Sequence, residues 1–260
     1  MTLALRVVAS ALLRRATSHR YGKHPHQVAD LHRPAGTGPH PVAVVLHGGA
    51  WQPPWTKLIM RPLCLDLARR GWAAWNVEYR RVGRDGGGWP QTFDDVAAAI
   101  DVLAELSDPA LDLARVTLLG HSAGAQLALW AGGRADLPAG APGAAPRVPG
   151  GQVLALAAVC DLAGAGRAAR ELLGGSVDEV PDRYAQVDPM RRLPLRVPVG
   201  LVHPRMDGTV SVNGSRGYAA AARAAGADVT LVEPPGGHRD PIDPSSTAWQ
   251  AAVGWLSRPA

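Results

Sequence analysis

One serine, one carboxylate and one histidine in this chain sit where acyl-transfer chemistry needs them. Ser122 lies inside Gly120-His121-Ser122-Ala123-Gly124, between an apolar run at residues 116–119 and a run of Ala, Leu and Trp at residues 125–130. That is the pattern of a buried strand, a sharp turn and a helix, with the serine at the apex. The flanking glycines let strand and helix approach closely around the turn. With 30 glycines in 260 residues, Gly and Ser also meet at residues 174–176 and 214–217. The flanking strand and helix, not the five-residue pattern alone, mark Ser122.

A serine hydroxyl attacks a carbonyl only if a base takes its proton and a carboxylate orients that base. The carbonyl oxygen then needs donors where negative charge develops. Asp207, a few residues past an apolar strand at residues 197–202, is the candidate acid; Asp161, past the strand at 153–159, is its rival. His238, after the last strand, is the candidate base, because the other histidines precede the sheet proper, open loops (His47, His203) or, like His121, have a backbone committed to the turn at Ser122. His47-Gly48-Gly49-Ala50-Trp51 follows the apolar run at residues 42–46. Its glycines leave backbone N–H groups open, so Gly49, with Ala50, and Ala123 behind the serine are the candidate oxyanion donors. Trp51, Trp55, Trp89 and Met206 lie in or beside these loops and are candidate pocket residues; packing of amphipathic side chains is the alternative for each.

The elements that must hold these groups alternate. Strands are expected at 28–31, 42–46, 73–79, 116–119, 153–159, 197–202 and 229–232. Helices are expected at 58–70, 91–106, 123–130, 167–173, 212–225 and 246–256. This alternation predicts an α/β fold, a mostly parallel sheet with helices on both faces. Residues 1–20 read as an N-terminal helical segment and residues 21–260 as one domain, with 161–195 as a small irregular cap over the active edge.

Composition narrows the class. Apolar residues make up 47%, which fits a globular chain. The formal charge is +5, carried almost wholly by scattered arginines, with Lys23 and Lys57 the only lysines. Scattered charge argues against a nucleic-acid surface, and no apolar run is long enough for a membrane span. Cys64 and Cys160 read as separate small core residues. A cytoplasmic protein is expected, with no cofactor and no metal.

The order Ser122, Asp207, His238 along the chain is that of α/β-hydrolases. From about Tyr21 to its end the chain resembles an α/β-hydrolase of the esterase/lipase type with an HGG-x-W oxyanion loop. HGGAWQ at 47–52 and GHSAGAQL at 120–127 are particularly similar to kynurenine formamidases (arylformamidases) and related bacterial carboxylesterases. The resemblance implies a nucleophile, acid and base at Ser122, Asp207 and His238. It implies a small-molecule ester or formamide substrate. Ala50, where formamidase loops often carry tyrosine, separates the chain from that pattern. His121, where aspartate precedes the serine in the hormone-sensitive-lipase branch, separates it from that one. Three readings follow: a serine carboxylesterase, an arylformamidase, and a hydrolase fold retained as a binding protein.

Overall fold

The computed structural model describes residues 16–258. Eight strands form one sheet: β1 Thr17–Arg20, β2 Val28–His32, β3 His40–Leu46, β4 Ala73–Val77, β5 Leu111–His121, β6 Gln152–Leu156, β7 Val199–Val202 and β8 Val229–Val232. Their spatial order is β1-β2-β4-β3-β5-β6-β7-β8. β2 is antiparallel to both neighbours, and every pairing from β4 to β8 is parallel. Seven α-helices accompany the described strands: α1 Arg61–Arg69, α2 Gln91–Asp101, α3 Ala123–Gly132, α4 Gly166–Leu173, α5 Pro181–Val187, α6 Val212–Ala224 and α7 Thr247–Leu256.

The central strands are apolar throughout because both of their faces are covered. In β3, Val42, Val44 and Leu46 pack into the layer holding Phe93, Leu127, Trp130 and Tyr218, while Ala43 and Val45 pack against Leu63, Cys64, Leu67, Trp249 and Trp255. Each fully buried Val or Leu here contributes about 1.5–3 kcal/mol. Two of the indoles in these layers have partners: Trp75 Nε1 donates to the Ala99 carbonyl and Trp249 Nε1 to Asp66, each over 2.7 Å. Among the described residues no helix is long and apolar enough to cross a membrane.

Several boundaries differ from the sequence expectations. Residues 17–20, expected as the end of a helix, form edge strand β1, paired from Thr17↔Leu31 to Arg20↔Val28. The open edge of β2 offers a row of backbone partners there, and the apolar pattern that would support a helix has already ended at Arg14 and Arg15. The remainder of that helical expectation, residues 1–15, lies outside the described residues. β5 is longer than expected. Its first residues, Leu111 and Asp112, pair with His40 and Pro41 ahead of a register shift at Pro41/Val42. Helix α5 inside segment 161–195 lacks a clear apolar period and starts on Pro181, which fits the first turn of a helix.

Candidate active site

The parallel strands end on a common rim, and the candidate residues stand there. β5 delivers Ser122 directly into α3. Ser122 has φ 55° and ψ −118°, a region L-residues rarely occupy, at a cost of about 1–3 kcal/mol. Its N–H donates to the Leu156 carbonyl over 2.8 Å, and its carbonyl accepts from Ala125 and Gln126. Both flanking glycines are required by close backbone contact. A Cβ on Gly120 would stand 2.0 Å from the Gly124 oxygen, and one on Gly124 would stand 2.2 Å from the Leu46 oxygen.

The loops after β7 and β8 bring the other two groups to this serine. Ser122 Oγ lies 3.0 Å from His238 Nε2, and His238 Nδ1 donates to Asp207 Oδ2 over 2.7 Å. Asp207 Oδ1 accepts from the N–H groups of Thr209 (2.8 Å) and Val210 (2.9 Å). Burial of this carboxylate opposes its ionisation. The hydrogen bonds from His238, Val210 and Thr209 outweigh that and hold its pKa below the usual carboxylate value. Asp161, the rival acid, instead caps a turn by accepting from the Gly164 N–H over 3.1 Å.

Two further histidines, absent from the sequence-based assignment, brace this line. His203 is wholly buried. Its Nε2 donates to the Val210 carbonyl (3.0 Å) and faces Asp207 Oδ2 (3.2 Å), while Ser215 Oγ donates to its Nδ1 (2.7 Å). His121 donates from Nε2 to the His238 carbonyl over 2.8 Å. Burial pushes the His121 pKa down to about 3, so it is neutral at pH 7. The readable signal for His203 was a polar ring directly after an apolar strand, on the rim where Asp207 stands.

The loop after β3 passes over Ser122. Gly49 (φ 117°), Ala50 (φ 52°) and Trp51 (φ 57°) all take positive φ, which turns the backbone sharply. A Cβ on Gly48 would meet His121 Nδ1 at 2.8 Å, and one on Gly49 would meet the Trp55 side chain at 2.3 Å. Ala123 opens α3, so its N–H has no intrahelical partner. The loop is held by charged side chains from the segment after β4. His47 Nε2 meets Glu78 Oε1 (3.0 Å), and Lys57 N–H donates to Glu78 Oε2 (2.9 Å). Tyr79 Oη donates to the His47 carbonyl (2.7 Å), and Arg81 donates to the Trp55 carbonyl. The sequence put Glu78 inside a strand expected at 73–79; that strand ends at Val77, which leaves Glu78 on the rim.

Beside Ser122 opens a cavity of about 710 Å³, lined by Gly49, Ala50, Trp51, Trp55, His121, Ser122, Ala123, Val159, Val210 and His238 among others. The 161–195 segment contributes Asp161, Gly164, Ala165, Gly166 and Ala168 to its wall. Of the sequence-based pocket candidates, Trp51 and Trp55 line the cavity. Trp89 does not: its ring packs on Phe93 at 5.6 Å, and its N–H is taken by the Leu172 carbonyl. Met206 also lies off the cavity and is 70% exposed, because the turn that buries the Asp207 carboxylate points its neighbour outward. Among the described residues no cluster of three or more His, Cys, Asp and Glu side chains is arranged to hold a metal ion.

The sequence matches the BD-FAE family over residues 29–221, nearly three quarters of the chain. The chain belongs to the BD-FAE family. It is also 28% identical over 256 residues to Esterase LipC of Mycobacterium tuberculosis, a match covering 89% of this chain and 62% of LipC. The chain thus spans less than two thirds of that curated relative. Two solved structures share the fold. Native esterase Est2 of the Planctomycetes species Thermogutta terrifontis superposes with TM-score 0.76 at 23% identity, over 95% of this chain and 94% of that one. A truncated carbohydrate esterase from gut microbiota superposes with TM-score 0.79 at 19% identity, over 93% and 96%. The fold is that of α/β-hydrolase esterases.

Proposed function

We propose that this BD-FAE family member is a serine hydrolase that cleaves carboxylic esters of small or aromatic substrates through an acyl-enzyme. The observation that carries the reading is the Ser122–His238–Asp207 line, 3.0 and 2.7 Å, at the wall of a 710 Å³ cavity. Its relatives support it: LipC is an esterase, and esterase 2 of T. terrifontis is phosphoramylated by tabun.

In this reading His238 Nε2 takes the Ser122 proton as Oγ attacks the carbonyl. Asp207 holds the ring by Nδ1 and stabilises the imidazolium. The N–H groups of Gly49, Ala50 and Ala123 receive the oxyanion. His238 then protonates the departing alcohol, water enters, and the same base activates it to release the acid. Segment 161–195 acts as a small cap, since it closes one wall of the cavity. Cytoplasmic residence is part of the proposal and rests on Cys64 and Cys160 being separate buried thiols.

A formamide substrate would use the same groups. The observation favouring it is the aromatic wall made by Trp51 and Trp55. A panel of p-nitrophenyl esters of graded acyl length beside N-formylkynurenine, with Ser122→Ala as control, separates the two. The ester reading expects the larger kcat/KM on short aryl esters. A larger value on N-formylkynurenine moves the assignment to arylformamidase, and turnover of neither removes the hydrolase reading.

A further inference from the structure

The imidazole of His47 is buried at the root of the oxyanion loop, and each ring nitrogen meets an atom that can only accept. Nδ1 lies 2.8 Å from the Gly48 carbonyl oxygen, and Nε2 lies 3.0 Å from Glu78 Oε1. A neutral imidazole has one N–H and one lone pair, so either tautomer would press a lone pair against an oxygen. Only the doubly protonated ring donates to both.

The surroundings accommodate that charge. The Tyr79 ring stacks on His47 with centroids 4.2 Å apart and planes 6° from parallel, which offers the cation an aromatic face. Arg81 Nη1 stands 3.7 Å from Glu78 Oε1, and Arg81 Nε pairs with Asp85 at 2.7 Å. His26, nearer the surface, stands 3.4 Å from Asp85, and the Lys57 ammonium turns away to Asp30 at 2.8 Å. The buried cluster then holds His47 and Arg81 against Glu78 and Asp85, two cations for two carboxylates. Hydrogen bonds from His47, its charge, the Lys57 N–H and Arg81 overcome burial and keep the Glu78 pKa below its usual value.

We infer that His47 is held as an imidazolium by Glu78 and acts as a positioning residue that polarises the Gly48–Gly49 peptide. The Gly48 carbonyl and the Gly49 N–H belong to one planar peptide group. A charged donor on the carbonyl strengthens the N–H at the other end. That N–H is one of the three offered to the oxyanion, so the inference rests on the acyl-transfer reading above. It also gives Glu78 a second task. Its Oε2 anchors the Lys57 N–H, so one carboxylate ties both ends of the loop at 47–57.

Long-range ¹H–¹⁵N correlation spectra of the labelled full chain test the charge, with His47 assigned by its missing signals in His47→Asn. Both ring nitrogens are expected to be of the protonated type at about pH 7; one unprotonated nitrogen overturns the inference. Kinetics on a short aryl ester test the polarisation. Glu78→Gln and His47→Leu are expected to lower kcat at least about tenfold with KM within about threefold, as for a contact made only in the transition state. His47→Asn, which keeps a neutral donor near the Gly48 carbonyl, is expected to recover part of the loss. An unchanged kcat in both Glu78→Gln and His47→Leu overturns the inference; so does an equal loss in Leu and Asn variants that keep the wild-type circular dichroism. Turnover with a neutral His47 sinks this inference alone. An imidazolium signal in a chain that hydrolyses no ester removes the acyl-transfer reading instead.

Discussion

His121 Nε2 donates to the backbone carbonyl of His238 over 2.8 Å. The residue before Ser122 thereby holds the backbone of His238, while Asp207 holds its ring. The two imidazoles lie with centroids 4.7 Å apart, so any shift of His121 is felt at the Ser122–His238 contact.

Replacing His121 by Leu leaves that carbonyl without its donor. The expected outcome is a loss of about 1–3 kcal/mol in stability. A fall of about 10–100-fold in kcat/KM accompanies it, as the base moves off its line with Ser122. Urea denaturation and initial rates on a short aryl ester measure the two separately.

Acid should weaken the fold through buried histidines. Burial lowers the pKa of His121 to about 3, and burial followed by the Arg61 charge lowers that of His32 to about 4. The unfolded chain takes up these protons near pH 6.5, and the folded chain resists them. Stability is therefore complete above about pH 6.5 and declines as pH falls toward 4, each group contributing up to about 1.4 kcal/mol per pH unit. Chemical denaturation between about pH 7 and 4 is expected to show a shallower slope in His121→Gln than in the wild type.

Gly124→Ala and Gly217→Ala should act in opposite directions. A Cβ on Gly124 collides with the oxygens of Leu46 (2.2 Å) and His47 (2.4 Å), so a loss of about 3 kcal/mol or more is expected, together with activity. A Cβ on Gly217, exposed on α6, meets nothing within 4 Å, and a gain of about 0.5–1 kcal/mol is expected. Thermal melts of both variants check this.

Asp207→Asn keeps the size of the side chain but removes the charge that steadies the His238 imidazolium. A fall of about 10⁴-fold in kcat is expected, with little change in KM. A single-turnover assay on a p-nitrophenyl ester reads it directly.

The parts of this molecule legible in its sequence are those where one local pattern fixes position. Ser122 is announced by an apolar strand, a tight glycine-flanked turn and a helix, and the same elements appear in the fold. The parallel sheet follows from apolar runs alternating with helical periods. What stayed hidden depends on partners distant in the chain. His121 and His203 acquire meaning only when the loops after β7 and β8 fold beside Ser122. Glu78 is read as a loop clamp only when His47 and Lys57 are seen on its two oxygens. Trp89 and Met206 have the right type and neighbourhood for a pocket, but the direction of a side chain leaving a loop is set by backbone angles that no short pattern records. The strand Thr17–Arg20 is likewise a product of the open edge it pairs with.

If His238 makes the Ser122 hydroxyl a nucleophile, an electrophilic phosphonate should find it. The measurement is intact-mass and peptide mass spectrometry after treatment with a fluorophosphonate. One adduct is expected on the wild-type chain, located at Ser122, none on Ser122→Ala, and greatly slowed labelling of His238→Ala. An unlabelled wild-type chain, or equal labelling of the Ser122→Ala variant, would contradict it.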